Sequence, residues 1–358
     1  MRIKSITYSL ISRLFLKIKN LFSPKIVHPM NKFSNKNYGI IRRLKNSEYE
    51  ELIDNRESLI RKLIEIYGIQ IKYPIKVNRT ASKIKKIQEK LKINKIFYDE
   101  SCFESYDGLK IPIYKIYPPN YHRDDIYPTI VLFSGHGPSK QIAFDEASYQ
   151  NGAGIHLAKK GFLIYVMENR GMGKLSYLGN HLRIDAVARI IGGTWYGEII
   201  TDALWLIENL LRESDVDNNY LGVAGVSTGG ALSMFTAALN DQIKAAYIQG
   251  YLGLFKKTFG IRANHCLCGH IPGILKVCEM SDIGALIAPR PALYVNGSAD
   301  IFYQSDAKDA FKRIQSFYER QGALKSVEFK SPFGVKHEFS VQIASDWFSN
   351  LFHPSLKL

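Results

Sequence analysis

Tyr220-Leu-Gly-Val-Ala-Gly-Val-Ser-Thr-Gly-Gly230 is the stretch on which the fold turns. An apolar, β-leaning run from Leu221 to Val226 meets Gly225-Val226-Ser227-Thr228-Gly229. Ala231, Leu232, Met234, Phe235, Ala237, Ala238 and Leu239 then form a small-residue helix pattern. A serine with glycines two positions to either side, set between strand and helix, is a nucleophile elbow. The glycines are needed because a Cβ at either place would collide with the strand or the helix. The turn lifts the hydroxyl clear of the sheet, and the helix start aims unpaired N–H groups at whatever binds beside it.

Five residues are a weak pattern alone, so the surrounding chain must carry it. Residues 96–103 and 109–117 flank Ser105-Tyr-Asp-Gly108 and predict a β-hairpin. Further strands are expected over 128–133, 162–167, 245–250, 291–296 and 327–330. Helices are expected over 146–160, 195–212, 282–288, 304–321 and 337–351. Strands alternating with helices predict an α/β fold, a mostly parallel central sheet with helices on both faces and an antiparallel start.

The net charge of +15 separates along the chain. Residues 1–98 hold 23 Lys+Arg against 7 Asp+Glu, whereas residues 99–358 hold 25 against 26, so the excess belongs to the N-terminal part. The chain therefore divides into a basic, largely helical extension (1–94) and a catalytic domain (95–358). Residues 3–22 place Ile3, Ile6, Leu10, Leu14, Ile18 and Leu21 on one helical face. That face suits peripheral contact with an anionic membrane surface, with docking on its own domain or in a homo-oligomer as the plainer alternative. Ser47-Glu-Tyr-Glu50 is a capping box opening a helix that Gly68 closes, and a third helix is expected over 82–93. A nucleic-acid partner is not expected, because the Lys/Ile/Asn bias there reads as composition. Four cysteines in 358 residues do not suggest a disulfide framework, which favours a reducing, cytoplasmic setting over export.

A serine nucleophile needs a base, and the base an orienting acid. On this architecture they follow in the order Ser, Asp/Glu, His, each on a loop after a strand. Gly297-Ser-Ala-Asp300 follows the strand at 291–296 and supplies Asp300. Only His337 and His353 lie beyond it, and His337 follows the next strand directly. The expected triad is Ser227, Asp300 and His337. Charge developing on the substrate oxygen needs pre-aimed backbone donors. The Thr228 N–H is one, and Ser134-Gly-His-Gly137 supplies the second through His136 or Gly137. No cofactor is expected.

These elements, with the elbow, resemble the α/β-hydrolase superfamily. Gly135-His-Gly137, Asn264-His-Cys-Leu-Cys268 with His270-Ile-Pro-Gly273, and Asp282-Ile-Gly-Ala-Leu-Ile-Ala-Pro-Arg-Pro291 resemble its acetyl xylan esterase-like branch, related to dienelactone hydrolases. Val295-Asn-Gly-Ser-Ala-Asp300 and His337-Glu-Phe339 continue the likeness over about residues 95–350. The resemblance implies Ser227 as nucleophile, Asp300 as acid and His337 as base. Ile301-Phe-Tyr-Gln304 and the lone Gly334 depart from the family pattern and bear on substrate preference.

His265-Cys-Leu-Cys-Gly-His270 offers two thiols and two imidazoles. Structural metal sites more often use Cys-x₂₋₄-Cys, so no metal is expected, and the segment is read as pocket wall with His265 facing substrate. Arg170 is a candidate for a substrate carboxylate, with a loop-bracing ion pair as the alternative. Trp195 and Tyr196 are candidates to overhang the pocket, with packing as the alternative. The expected activity is hydrolysis of a small carboxylic ester through an acyl-enzyme. Acyl transfer or thioester cleavage by the same triad is the alternative, followed by a serine peptidase or a non-catalytic scaffold.

Overall fold

The computed structural model describes residue 44 and residues 55–71, 84–262 and 265–352. The expected helix at 3–22 and the capping box Ser47–Glu50 lie outside them. The first described helix, α1 (Arg56–Tyr67), is capped by Asn55 and ends at Gly68, whose φ of 68° suits a residue without Cβ. Its apolar face (Leu59, Ile60, Leu63, Tyr67) is fully buried in the main core, so this part of the expected extension is built into the body.

Residues 82–93 differ from expectation. They contain a strand, β1 (Lys85–Ile93), paired antiparallel with β2 (Ile96–Glu104). Asn94 and Lys95, at φ 46° and 66°, make the tight connection, two positive-φ residues being what a twisted two-residue hairpin requires. Pairing with β2 thus overrides the helical reading. Lys85, Lys86 and Lys92 are lysines on the edge strand, a composition that discourages edge-to-edge association.

The chain continues through β3 (Lys110–Ile116), β4 (Tyr127–Phe133), α2 (Ser139–Phe144), α3 (Ala153–Lys159) and β5 (Leu163–Met167). Next come α4 (His181–Ile190), α5 (Trp195–Leu210), β6 (Val216–Val226), α6 (Thr228–Leu239) and β7 (Ala245–Gln249). It ends with α7 (Met280–Ala285), β8 (Ala292–Val295), α8 (Gln304–Arg320), β9 (Val327–Lys330) and α9 (Val341–Phe352). The described strands form one sheet in the order β1-β2-β3-β5-β4-β6-β7-β8-β9. Pairings from β1 to β5 by way of β3 are antiparallel, and all those from β5 to β9 are parallel.

Alternation along the strands sorts the core into two layers. Val131, Phe133, Leu163, Tyr165, Met167, Ala292 and Tyr294 enter the layer that contains α1, α5 and α6. Ile130, Leu132, Ile164, Val166, Leu293 and Val295 enter the opposite layer, with α3 and α9. Strands buried on both faces explain the near-continuous apolar runs of the sequence. Among the described residues, no helix is long and apolar enough to cross a membrane.

Candidate active site

Ser227 joins β6 to α6 with φ 60° and ψ −124°, a left-handed backbone that a residue with a Cβ rarely adopts. Such a conformation costs about 1–3 kcal/mol and persists only where its surroundings hold it. Here the Ser227 N–H donates to the Gln249 carbonyl at 2.9 Å. A Cβ at Gly229 would overlap the Phe133 carbonyl, and one at Gly225 would overlap the Gly229 backbone. The two glycines read from sequence are therefore demanded by the closeness of β4 and α6.

Asp300 sits on the loop after β8, its side chain fully buried. Its Oδ1 accepts from His337 Nδ1 at 2.8 Å and from the Phe302 N–H at 3.0 Å. The final helix starts at Val341 rather than at 337, which leaves His337 on the loop after β9. Gly250, at φ 60°, makes room for the pair, since a Cβ there would lie 3.0 Å from the His337 ring and 3.2 Å from Asp300 Oδ2.

Ser227 and His337 line one cavity of about 320 Å³. No hydrogen bond joins their side chains in this structure. Tyr149 and Phe302 stack beside His337, at 6.0 and 6.2 Å between ring centroids. Tyr196, Tyr251, Phe259 and His265 complete an aromatic wall. His265 lies 4.3 Å from the Phe302 ring, and burial, then the neighbouring His337, lowers its pKa to about 4, so it is neutral at pH 7. A larger cleft, about 830 Å³, is lined by charged groups such as the Lys115–Asp215 ion pair and contains none of Ser227, Asp300 and His337.

Thr228 and His136 also line the active cavity. The Gly135 N–H donates to Gln150 Oε1 at 2.9 Å, so of the expected loop it is His136 and Gly137 whose N–H groups remain candidates as oxyanion donors. The His136 ring is held 2.9 Å from Thr228 Oγ1 through Nδ1, while its Nε2 lies 3.4 Å from Cys268 Sγ.

Two expected pocket residues lie elsewhere. Arg170 is 6% exposed and does not line the cavity. It makes a two-pronged contact with Asp202 at 2.7 and 2.8 Å and pairs with Asp107 at 2.6 Å, which is the loop-bracing alternative. Trp195 is fully buried, donating through Nε1 to the Arg170 carbonyl at 2.9 Å. Its neighbour Tyr196 does reach the cavity. Ile301 and Phe302, from the segment singled out for substrate preference, do line the cavity, whereas sequence reasoning missed Tyr149, Tyr251 and Phe259, because only the folded chain brings an aromatic to a wall. It also missed Cys266, Cys268 and His181 as a group: the thiols were in view, but their imidazole partners come from distant segments.

The strained serine between β6 and α6, with a histidine–aspartate pair presented by later loops, defines a member of the α/β-hydrolase class. The acetyl xylan esterase (AXE1) family model matches residues 75–267, more than half of the chain. The protein belongs to that family. The Bacillus subtilis protein YtaP, whose name carries the word hydrolase and no substrate, is 31% identical over 138 residues, 37% of this chain and 46% of its own. Dipeptidyl-peptidase 5 of Porphyromonas endodontalis is 25% identical over 206 residues, 57% of this chain and 27% of its own. The chain thus spans less than half the length of these curated relatives. Among solved structures, a glucuronoyl esterase from Solibacter usitatus aligns with a TM-score of 0.60 at 14% identity, over 84% of this chain and 91% of its own. Acetyl xylan esterase 1 from Thermoanaerobacterium sp. aligns at 0.57 and 17% identity, over 87% of this chain and 98% of its own. At these identities the structural likenesses speak for the fold.

Proposed function

We propose that the protein hydrolyses short-chain carboxylic esters, acetyl esters on a carbohydrate in particular, through an acyl-enzyme on Ser227. The observation that carries this reading is the 2.8 Å contact between His337 Nδ1 and Asp300 Oδ1 in the wall of the cavity that Ser227 enters. With Nδ1–H donated to the carboxylate, Nε2 is the basic nitrogen. It takes the Ser227 proton as Oγ attacks the acyl carbon. The Thr228 N–H and an N–H of the His136-Gly137 loop receive the developing oxyanion. His337, now a cation stabilised by Asp300, returns the proton to the departing alcohol. A water activated by the same imidazole then releases the acid.

The acetyl preference rests on the cavity's size and its aromatic, uncharged wall, together with the name of the family. Among the described residues no carboxylate lines it, which speaks against a peptidase that anchors a substrate amino terminus. A panel of 4-nitrophenyl esters from acetate to octanoate tests the reading. We expect kcat/KM to fall by about tenfold or more beyond butyrate, even though each extra CH₂ offers about 0.8 kcal/mol of burial where there is room for it. A rate that climbs steadily to octanoate overturns the short-chain assignment. Deacetylation of acetylated xylooligosaccharides then separates the carbohydrate ester from simple acetates.

A further inference from the structure

Beside the triad, four side chains from three separate segments converge. They are His136 from the loop after β4, His181 at the start of α4, and Cys266 and Cys268 from the turn after β7. One nitrogen or sulfur atom from each lies within 4.8 Å of all the others. His136 Nε2 is 3.4 Å from Cys268 Sγ, and His181 Nε2 is 3.2 Å from Cys266 Sγ. A tetrahedral zinc ion with bonds of about 2.0–2.3 Å needs its ligand atoms roughly 3.3–3.8 Å apart, so only small inward movements separate this group from a complete shell. Two thiols and two imidazoles are the donor set that zinc selects. We propose that His136, His181, Cys266 and Cys268 bind a structural Zn²⁺ ion.

The short 3₁₀ turn Leu267–Gly269 folds the two cysteines toward one point. That overcomes the objection to Cys-x-Cys spacing raised by the sequence. The histidines that flank them in sequence are engaged elsewhere. His270 contacts the Cys266 and Phe259 carbonyls at 3.2 and 3.0 Å, and His265 packs on Phe302. An outer shell is also present. With Nε2 on the metal, the neutral His136 ring carries its proton on Nδ1 and donates it to Thr228 Oγ1, 2.9 Å away. Arg189 donates to the His270 carbonyl at 2.8 Å and is held by Asp185 at 2.6 Å, which fixes α4 to the cysteine turn. The Trp195 ring packs against both His136 and His181, at 5.7 and 5.1 Å between centroids.

Four protein ligands leave no open position, so the ion is structural and takes no part in ester cleavage. Binding releases the two thiol protons to solvent. Its consequence, which rests on the acyl-enzyme reading, is to pin the oxyanion loop at His136 to the cysteine turn that walls the cavity.

The test is metal content in the full chain, purified under reducing conditions without chelators or metal-affinity resin. Mass spectrometry for metals should find about one zinc per chain, and Co²⁺ replacement should give the intense visible bands of a tetrahedral thiolate site. Cys266→Ser with Cys268→Ser should lower zinc content by about tenfold or more, whereas Cys102→Ala keeps it. If the double variant fails to fold, the cobalt spectrum of the wild type decides alone. Folded wild type that takes up neither metal overturns the proposal, as does undiminished zinc in a folded double variant or a Cys266–Cys268 disulfide in the protein as purified. None of these readouts depends on Ser227 being reactive, so the two proposals fail separately.

Discussion

His337→Ala is expected to lower kcat for 4-nitrophenyl acetate by about 10⁴-fold or more, and Ser227→Ala by a similar factor. The double variant should be no slower than the worse of the two, because nucleophile and base act as one unit and removing either ends their joint contribution. Asp300→Asn should cost less than either. It leaves the serine and the imidazole in place, but exchanges the carboxylate 2.8 Å from Nδ1 for a neutral amide, which no longer steadies the ring's cation and can present a donor instead of an acceptor. Steady-state kinetics on variants with unchanged thermal unfolding provide the check. Losses that multiply in the double variant, or a fall under about tenfold for His337→Ala, would mean that the imidazole is not the base.

The second large effect falls on stability. Arg170→Met should lower the free energy of unfolding by about 3–5 kcal/mol, because it strands charges that burial makes costly. Asp202 is fully buried and takes both prongs of the guanidinium, while Asp107 and Glu198 lie at 2.6 and 3.3 Å from Nη1. Burial raises the pKa of Asp202 even with the arginine present. The cluster ties the β2–β3 turn, the loop after β5 and helix α5 together, so the loss should appear as a lower urea midpoint for the whole domain. Arg170→Met with Asp202→Leu should recover part of it, since the apolar pair removes the most deeply buried of the stranded charges. A loss under about 1 kcal/mol for the single variant would show that the network behaves like an exposed ion pair.

What the sequence reveals and what it hides divide along physical lines. The elbow at Ser227 and the contact between His337 and Asp300 are legible because each residue is tied to its own local element: a glycine-flanked turn, a loop after β8, a loop after β9. Their order along the chain then substitutes for contact. Arg170 is not legible in the same way. Its partners stand 63 and 32 positions away, so a sequence reading cannot separate a buried brace from a substrate ligand. The zinc-type group fails for the same reason, with His181 and Cys266 85 positions apart and α4 itself unanticipated. The strand β1 shows the other limit. Its Lys- and Ile-rich run fits a helix by local preference, and only the neighbouring strand and the Asn94-Lys95 turn make it extended.

The proposed chemistry depends on Ser227 being made nucleophilic by His337 from a distant loop. Its most direct measurement is labelling of the folded full chain with a fluorophosphonate, followed by peptide mapping. One label per chain is predicted, on the peptide that contains Ser227, and none in Ser227→Ala. Folded wild-type protein that stays unlabelled, or a label carried by another residue, would contradict it.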